Sequence, residues 1–74
     1  MKKLIDHLTG LPPSERDALA ARAGTTVGYI RKAYYSGQEL SPKTCVAIEQ
    51  ETAGAVTRQD LRADWQAIWP ELKG

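Results

Sequence analysis

The chain has 74 residues, with ten Lys or Arg against nine Asp or Glu, one His, one Cys and no Phe. A chain this short forms one domain at most and buries only about 60% of the surface it exposes when unfolded. His7 and Cys45 alone leave almost nothing from which to assemble a metal site or acid–base machinery, so no enzymatic activity, cofactor or metal is expected.

Cys45 has no partner within the chain and is expected to be a small core residue in a reducing compartment. With no run of about 18 apolar residues, no charged-then-apolar leader and no lipidation signal, a cytoplasmic location is expected, in a bacterial or phage-infected cell.

No segment alternates apolar and polar residues over the length a half-buried strand needs, so the fold class is all-α. A first helix over residues 2–8 puts Leu4, Ile5 and Leu8 on one stripe, and Gly10 with Pro12 and Pro13 ends it. Ser14 is the expected N-cap of a second helix, with Asp17 completing a capping-box-like pair and Leu19, Ala20 and Ala23 forming its apolar face. Gly24 closes it in the left-handed conformation.

Thr25 and Thr26 then offer hydroxyls to cap a third helix, residues 27–35, which Gly37 stops. Ser41 followed by Pro42 opens a fourth helix that runs to about residue 52, with Cys45 and Ile48 inward, Glu49 and Glu51 outward, and Gly54 at its end. Thr57, three residues before Asp60, caps a short helix carrying Leu61; Asp64 caps a last turn in which Trp65, Ile68 and Trp69 share a face before Pro70 breaks it. The expectation is a single domain over residues 1–74, a bundle of about five short helices.

The most informative spacing is that of Ala20, Gly24 and Ile30. A helix-turn-helix needs a small residue on its first helix where the second crosses it, a glycine four residues on for the sharp turn, and a branched apolar residue six beyond to lock the second helix down. Residues 14–36 supply all three.

Those residues also carry a family resemblance. LAARAGTTVGYIRKAYYSGQELSPKTCVAIEQETAGAVTRQDLRADW resembles the phage Cro and repressor type of helix-turn-helix, most of all the small Cro-like proteins grouped with the YdaS antitoxins. The echoes are the Gly-Thr-Thr turn, the Tyr-Ile-Arg-Lys segment, the Ser-Pro-Lys opening of the fourth helix, and Gly-Ala-Val-Thr-Arg-Gln-Asp-Leu-Arg near the end. Two departures stand out: residues 9–14 make a longer connection between the first two helices than is usual, and Arg16 stands where many relatives have glutamine. The resemblance implies a lambda-repressor-like fold and sequence-specific binding of double-stranded operator DNA, commonly as a homodimer or higher oligomer, in a transcriptional repressor. Two alternatives remain open: an antitoxin that binds DNA and also captures a toxin partner, and a helical interaction module that has lost DNA.

The physical chemistry of the third helix fits DNA. A recognition helix enters the major groove with its N-terminal residues at base edges and its exposed amides near phosphate. Thr26, Val27 and Gly28 occupy that tip. Gly28 costs up to about 1 kcal/mol relative to alanine, either offset by close approach of backbone to DNA or simply softening a helix end. Val27 is open to a thymine methyl or to the core beside Ile30. Lys32 is the first candidate to read a guanine edge, Arg31 the second, with phosphate as its other target; Tyr29 offers a hydroxyl to base or phosphate. Tyr34 is expected inward. Arg16, Thr25, Tyr35 and Lys43 are the phosphate candidates, each of which adds affinity without sequence information. Lys2 and Lys3 are either further contacts or a solubilising terminus.

Charge is polarised along the chain in the matching sense. Residues 1–37 hold six cations (Lys2, Lys3, Arg16, Arg22, Arg31, Lys32) against three anions (Asp6, Glu15, Asp17), whereas residues 38–74 hold four (Lys43, Arg58, Arg62, Lys73) against six (Glu39, Glu49, Glu51, Asp60, Asp64, Glu71). Trp65, Ile68, Trp69 and Leu72 form a C-terminal apolar stripe that serves either to complete the core or to join subunits; the expected division is Trp65 in the core and Trp69 nearer an interface. A two-fold dimer would read two half-sites about 34 Å apart.

Overall fold

Leu4 and Leu8 stand one helical turn apart on α1 (Lys2–Thr9), and both are sealed from solvent by the helices that follow. The computed structural model describes residues 1–72, and among these it has six α-helices and no strand: α1, α2 (Pro13–Arg22), α3 (Val27–Ser36), α4 (Pro42–Glu51), α5 (Arg58–Leu61), α6 (Trp65–Ile68), then a 3₁₀ turn over Pro70–Leu72. None is long and apolar enough to cross a membrane.

The core collects Leu19 and Ala20 from α2, Ile30 and Ala33 from α3, Cys45 and Ile48 from α4, and Leu61 from α5, with Ala23, Leu40 and Val56 from the connections. These are small or branched side chains, and the core reaches closure because every helix except α6 contributes to it. Cys45 behaves as the expected hydrophobe: its thiol is buried, donates to the Leu40 carbonyl at 3.7 Å, and burial pushes its pKa up to about 11.

Glycine and threonine punctuate the chain where the capping rules place them. After α2, Gly24 takes φ +78° while the Thr25 amide donates to the Ala20 carbonyl and the Gly24 amide to that of Ala21, closing the helix with a Schellman pair. Thr26 accepts from the Tyr29 amide at 3.1 Å and so caps α3, and Gly37 at φ +74° ends it. Ser41 caps α4. Thr57 and Asp60 form a full capping box on α5, with the Thr57 amide donating to Asp60 Oδ2 at 2.9 Å.

Two expectations are corrected. Ser14 does not cap α2: the helix begins two residues earlier than a Ser14 cap requires because Pro13, which has no amide to satisfy, takes the first helical position after Pro12, leaving Ser14 exposed inside the first turn. The Asp64 carboxylate does not cap α6, because both its oxygens accept from Arg62, at 2.9 and 3.0 Å. The end of α4 is closed, as expected, by Gly54 at φ +87°, whose amide donates to the Glu49 carbonyl, and Ala53 before it is left-handed as well, at φ +53°.

The string that carried much of the family resemblance turns out to be scaffolding. Arg58 forks onto Glu49, which also accepts from the Arg58 amide at 2.8 Å, and the guanidinium lies 5.4 Å from the Trp69 ring centre. Arg62 donates to the Leu40 carbonyl at 2.6 Å, and Glu39 accepts from the Ala63 amide at 2.8 Å, so α5 and its flanks are strapped to α4 and to the loop before it. The guanidinium of Arg58 holds the Glu49 carboxyl below its usual range, as the Thr57 amide does for Asp60 and Arg62 for Asp64.

Candidate nucleic-acid interface

Ala20 on α2 and Ile30 on α3 are both buried, at 1% and 0% exposure, and the left-handed Gly24 lies between them in sequence. The small side chain of Ala20 admits α3, and Ile30 with Ala33 fixes which face of α3 turns inward. Everything else on α3 follows from the helical period: Gly28, Arg31, Lys32 and Tyr35 fall within roughly 100° of arc opposite Ile30. All four are exposed, Tyr35 to 78%.

Tyr29 lies further round toward Ala33 and is half exposed. Tyr34 is partly buried, as expected, and meets Tyr35 edge-on with ring centres 5.2 Å apart. Val27, for which a thymine methyl and the core were alternatives, packs against the core. Thr25 is partly buried; it is Thr26, not Thr25, whose hydroxyl oxygen caps the helix.

Gly28 is informative for what does not surround it. A Cβ built there would meet nothing within 4 Å, and its φ is ordinary and helical. The fold itself therefore has no need of glycine at this position. Arg31 and Lys32, which bracket it on the outward arc, form no ion pair or side-chain hydrogen bond among the described residues, and neither does Lys43 in the first turn of α4.

Arg16 stands differently. Its Nε donates to the Leu8 carbonyl at 2.8 Å, which also accepts from the Leu11 amide at 3.1 Å, and its Nη2 to that of Leu11 at 2.9 Å, so the guanidinium spans the long α1–α2 connection. Of the tryptophans it is Trp69, not Trp65, that packs against the core, beneath Arg58, whereas Trp65, Ile68 and Leu72 are partly buried and stand apart from the core among the described residues.

A helix, a glycine turn and a second helix pinned by a branched apolar residue, set in an all-helical bundle, define a helix-turn-helix domain. A family model described as bacterial toxin YdaS matches residues 4–68, and the chain belongs to that family. It is also similar to a prophage transcriptional regulatory protein of Escherichia coli (strain K12), 36% identical over 71 residues that cover 96% of this chain and 98% of that one. No solved structure gives a significant match.

Proposed function

We propose that the chain is a transcriptional regulator that binds operator DNA by laying α3 in the major groove and acts by occupying its site. The observation that carries this reading is the outward arc of α3, where Arg31 and Lys32, without an ion-pair partner among the described residues, and the exposed Tyr35 surround the bare backbone of Gly28 while Ile30 and Ala33 are locked inward. The prophage regulator to which the chain is similar supports it.

In this account Lys32 reads a guanine edge, with Arg31 beside it on base or phosphate. Thr26 contributes the hydroxyl proton that its capping role leaves free, and Tyr29 its hydroxyl. The partly buried Val27 offers DNA only an edge. Thr25, Tyr35 and Lys43 hold phosphates. One recognition helix reads few base pairs, so a two-fold dimer joins two of them, through Trp65, Ile68 and Leu72. Selection of bound sites from random duplex DNA tests the reading: a short palindromic sequence should be enriched, with affinity that falls steeply with salt.

The family description favours a second reading, in which the protein works within a toxin–antitoxin pair and its half-buried C-terminal face meets a protein partner. Co-purification of a stoichiometric, unrelated chain would favour this second reading, and a homo-oligomer alone would favour the first.

A further inference from the structure

The cations of this chain are not equally free to meet phosphate. Arg16 is engaged by two carbonyls, Arg58 by Glu49, and Arg62 by Asp64 and the Leu40 carbonyl, with only 20% and 17% of the Arg58 and Arg62 side chains exposed. Arg31, Lys32 and Lys43 have no such partner among the described residues. Arg22 stands between these groups. Its partner is Glu51, Nε to Oε2 at 2.8 Å, and 55% of its side chain remains open to solvent.

Arg22 also lines an open cleft of about 260 Å³ with Ala23, Gly24, Lys43, Thr44 and Ala47. Gly24 is two residues from the cap of α3, so the cleft mouth lies beside the place where a recognition helix would enter the groove. An exposed ion pair is weak, and guanidinium binds phosphate oxygens in the same forked manner as a carboxylate. Arg22 lines both this cleft and the neighbouring one that Glu51 lines, so a phosphate seated beside Lys43 would have to draw Arg22 from Glu51.

We propose that Glu51 sets the strength of DNA binding by holding Arg22 off the phosphate backbone, so that Lys43 is the standing cation of this cleft and Arg22 the withheld one. The inference rests on the DNA-binding reading above. It makes the Arg22–Glu51 pair a restraint on affinity rather than a support of the fold, in contrast to Arg16, Arg58 and Arg62.

The test is binding of a random-sequence duplex, followed by fluorescence anisotropy across a salt series, with folding checked by circular dichroism. Glu51→Gln should bind about three- to tenfold tighter at low salt and steepen the slope of log affinity against log salt by about 0.9 per bound subunit, the value for one more phosphate neutralised. Arg22→Gln alone should leave the wild-type slope, Lys43→Gln should lower it by about 0.9 per subunit, and the double variant Arg22→Gln with Glu51→Gln should return to wild type. A wild-type slope in Glu51→Gln overturns the proposal. So does a steepened slope that survives in the double variant, or a slope already lowered by Arg22→Gln alone. Absence of any salt-dependent binding by the wild type would instead remove the DNA reading itself.

Discussion

Arg58 grips Glu49 through a forked pair, Nε to Oε1 at 3.2 Å and Nη2 to Oε2 at 3.1 Å, while the Arg58 amide donates to the same carboxylate at 2.8 Å. One carboxylate on α4 thus fixes the first residue of α5. Glu49→Gln should lower stability by about 1 kcal/mol, because it removes the charge from three hydrogen bonds at a partly buried site. The same relationship gives a pH dependence. The folded-state pKa of Glu49 lies below its usual 4.5, and those of Asp60 and Asp64 below 3.8. Groups lowered in this way stabilise fully above their unfolded values, and that stability is lost as pH falls through the folded values. Thermal unfolding followed by circular dichroism should show a melting temperature level above about pH 5 and falling in more acid solution. In Glu49→Gln the acid fall should be shallower; an equally steep fall would mean that the pair contributes no pH-dependent stability.

Ala53 holds φ +53° at the end of α4, a conformation that costs an L-residue about 1 kcal/mol or more and glycine almost nothing. Ala53→Gly should therefore raise stability by about 1 kcal/mol in denaturant titration, against the usual direction for glycine substitutions. A destabilised variant would show that Ala53 gains more from its neighbours than its backbone strain costs.

Gly28 separates fold from function. Because a Cβ there meets open space, Gly28→Ala should leave the fold unharmed or stabilise it by up to about 1 kcal/mol. If the backbone of this turn approaches DNA closely, the same methyl group should weaken DNA binding about tenfold or more, since even about 1.4 kcal/mol of steric cost amounts to a factor of ten. A variant that is both more stable and equally tight on DNA would reduce Gly28 to a soft helix end.

The two tryptophans should answer differently to truncation. Trp69 packs against the core under Arg58, and Trp69→Ala should cost about 2–3 kcal/mol, somewhat below the value for a fully buried ring. Trp65 is partly buried away from that core, and Trp65→Ala should cost less stability than Trp69→Ala while shifting sedimentation toward the monomer if this face joins subunits. An unchanged oligomeric state would remove the C-terminal face from the interface.

The helix-turn-helix was legible because its rules are local. Ala20, Gly24, Thr26 and Ile30 act through sequence spacing alone, and the caps at Ser41 and Thr57 likewise depend on neighbours three residues away. What escaped was everything decided across the fold. Arg16 lies where a phosphate contact is reasonable, yet its guanidinium bridges to Leu8 and Leu11, and no local pattern marks that preference. Asp64 would cap α6 by position, but its carboxylate is claimed by Arg62, whose guanidinium also donates to the Leu40 carbonyl 22 residues away. Trp65 and Trp69 are four residues apart on one nominal stripe, yet it is Trp69 that lies against the core, with Arg58 over its ring. The Arg22–Glu51 pair, 29 residues apart in sequence, had no local signal at all.

The central claim, that the outward arc of α3 reads DNA sequence, is tested most directly by selecting bound sites from random duplex DNA with the wild type and with Lys32→Ala in parallel. The wild type should enrich a short palindromic site, and Lys32→Ala should relax or abolish that preference while keeping residual, salt-sensitive affinity. No enrichment by the wild type at low salt, or an identical enriched site from Lys32→Ala, would contradict it.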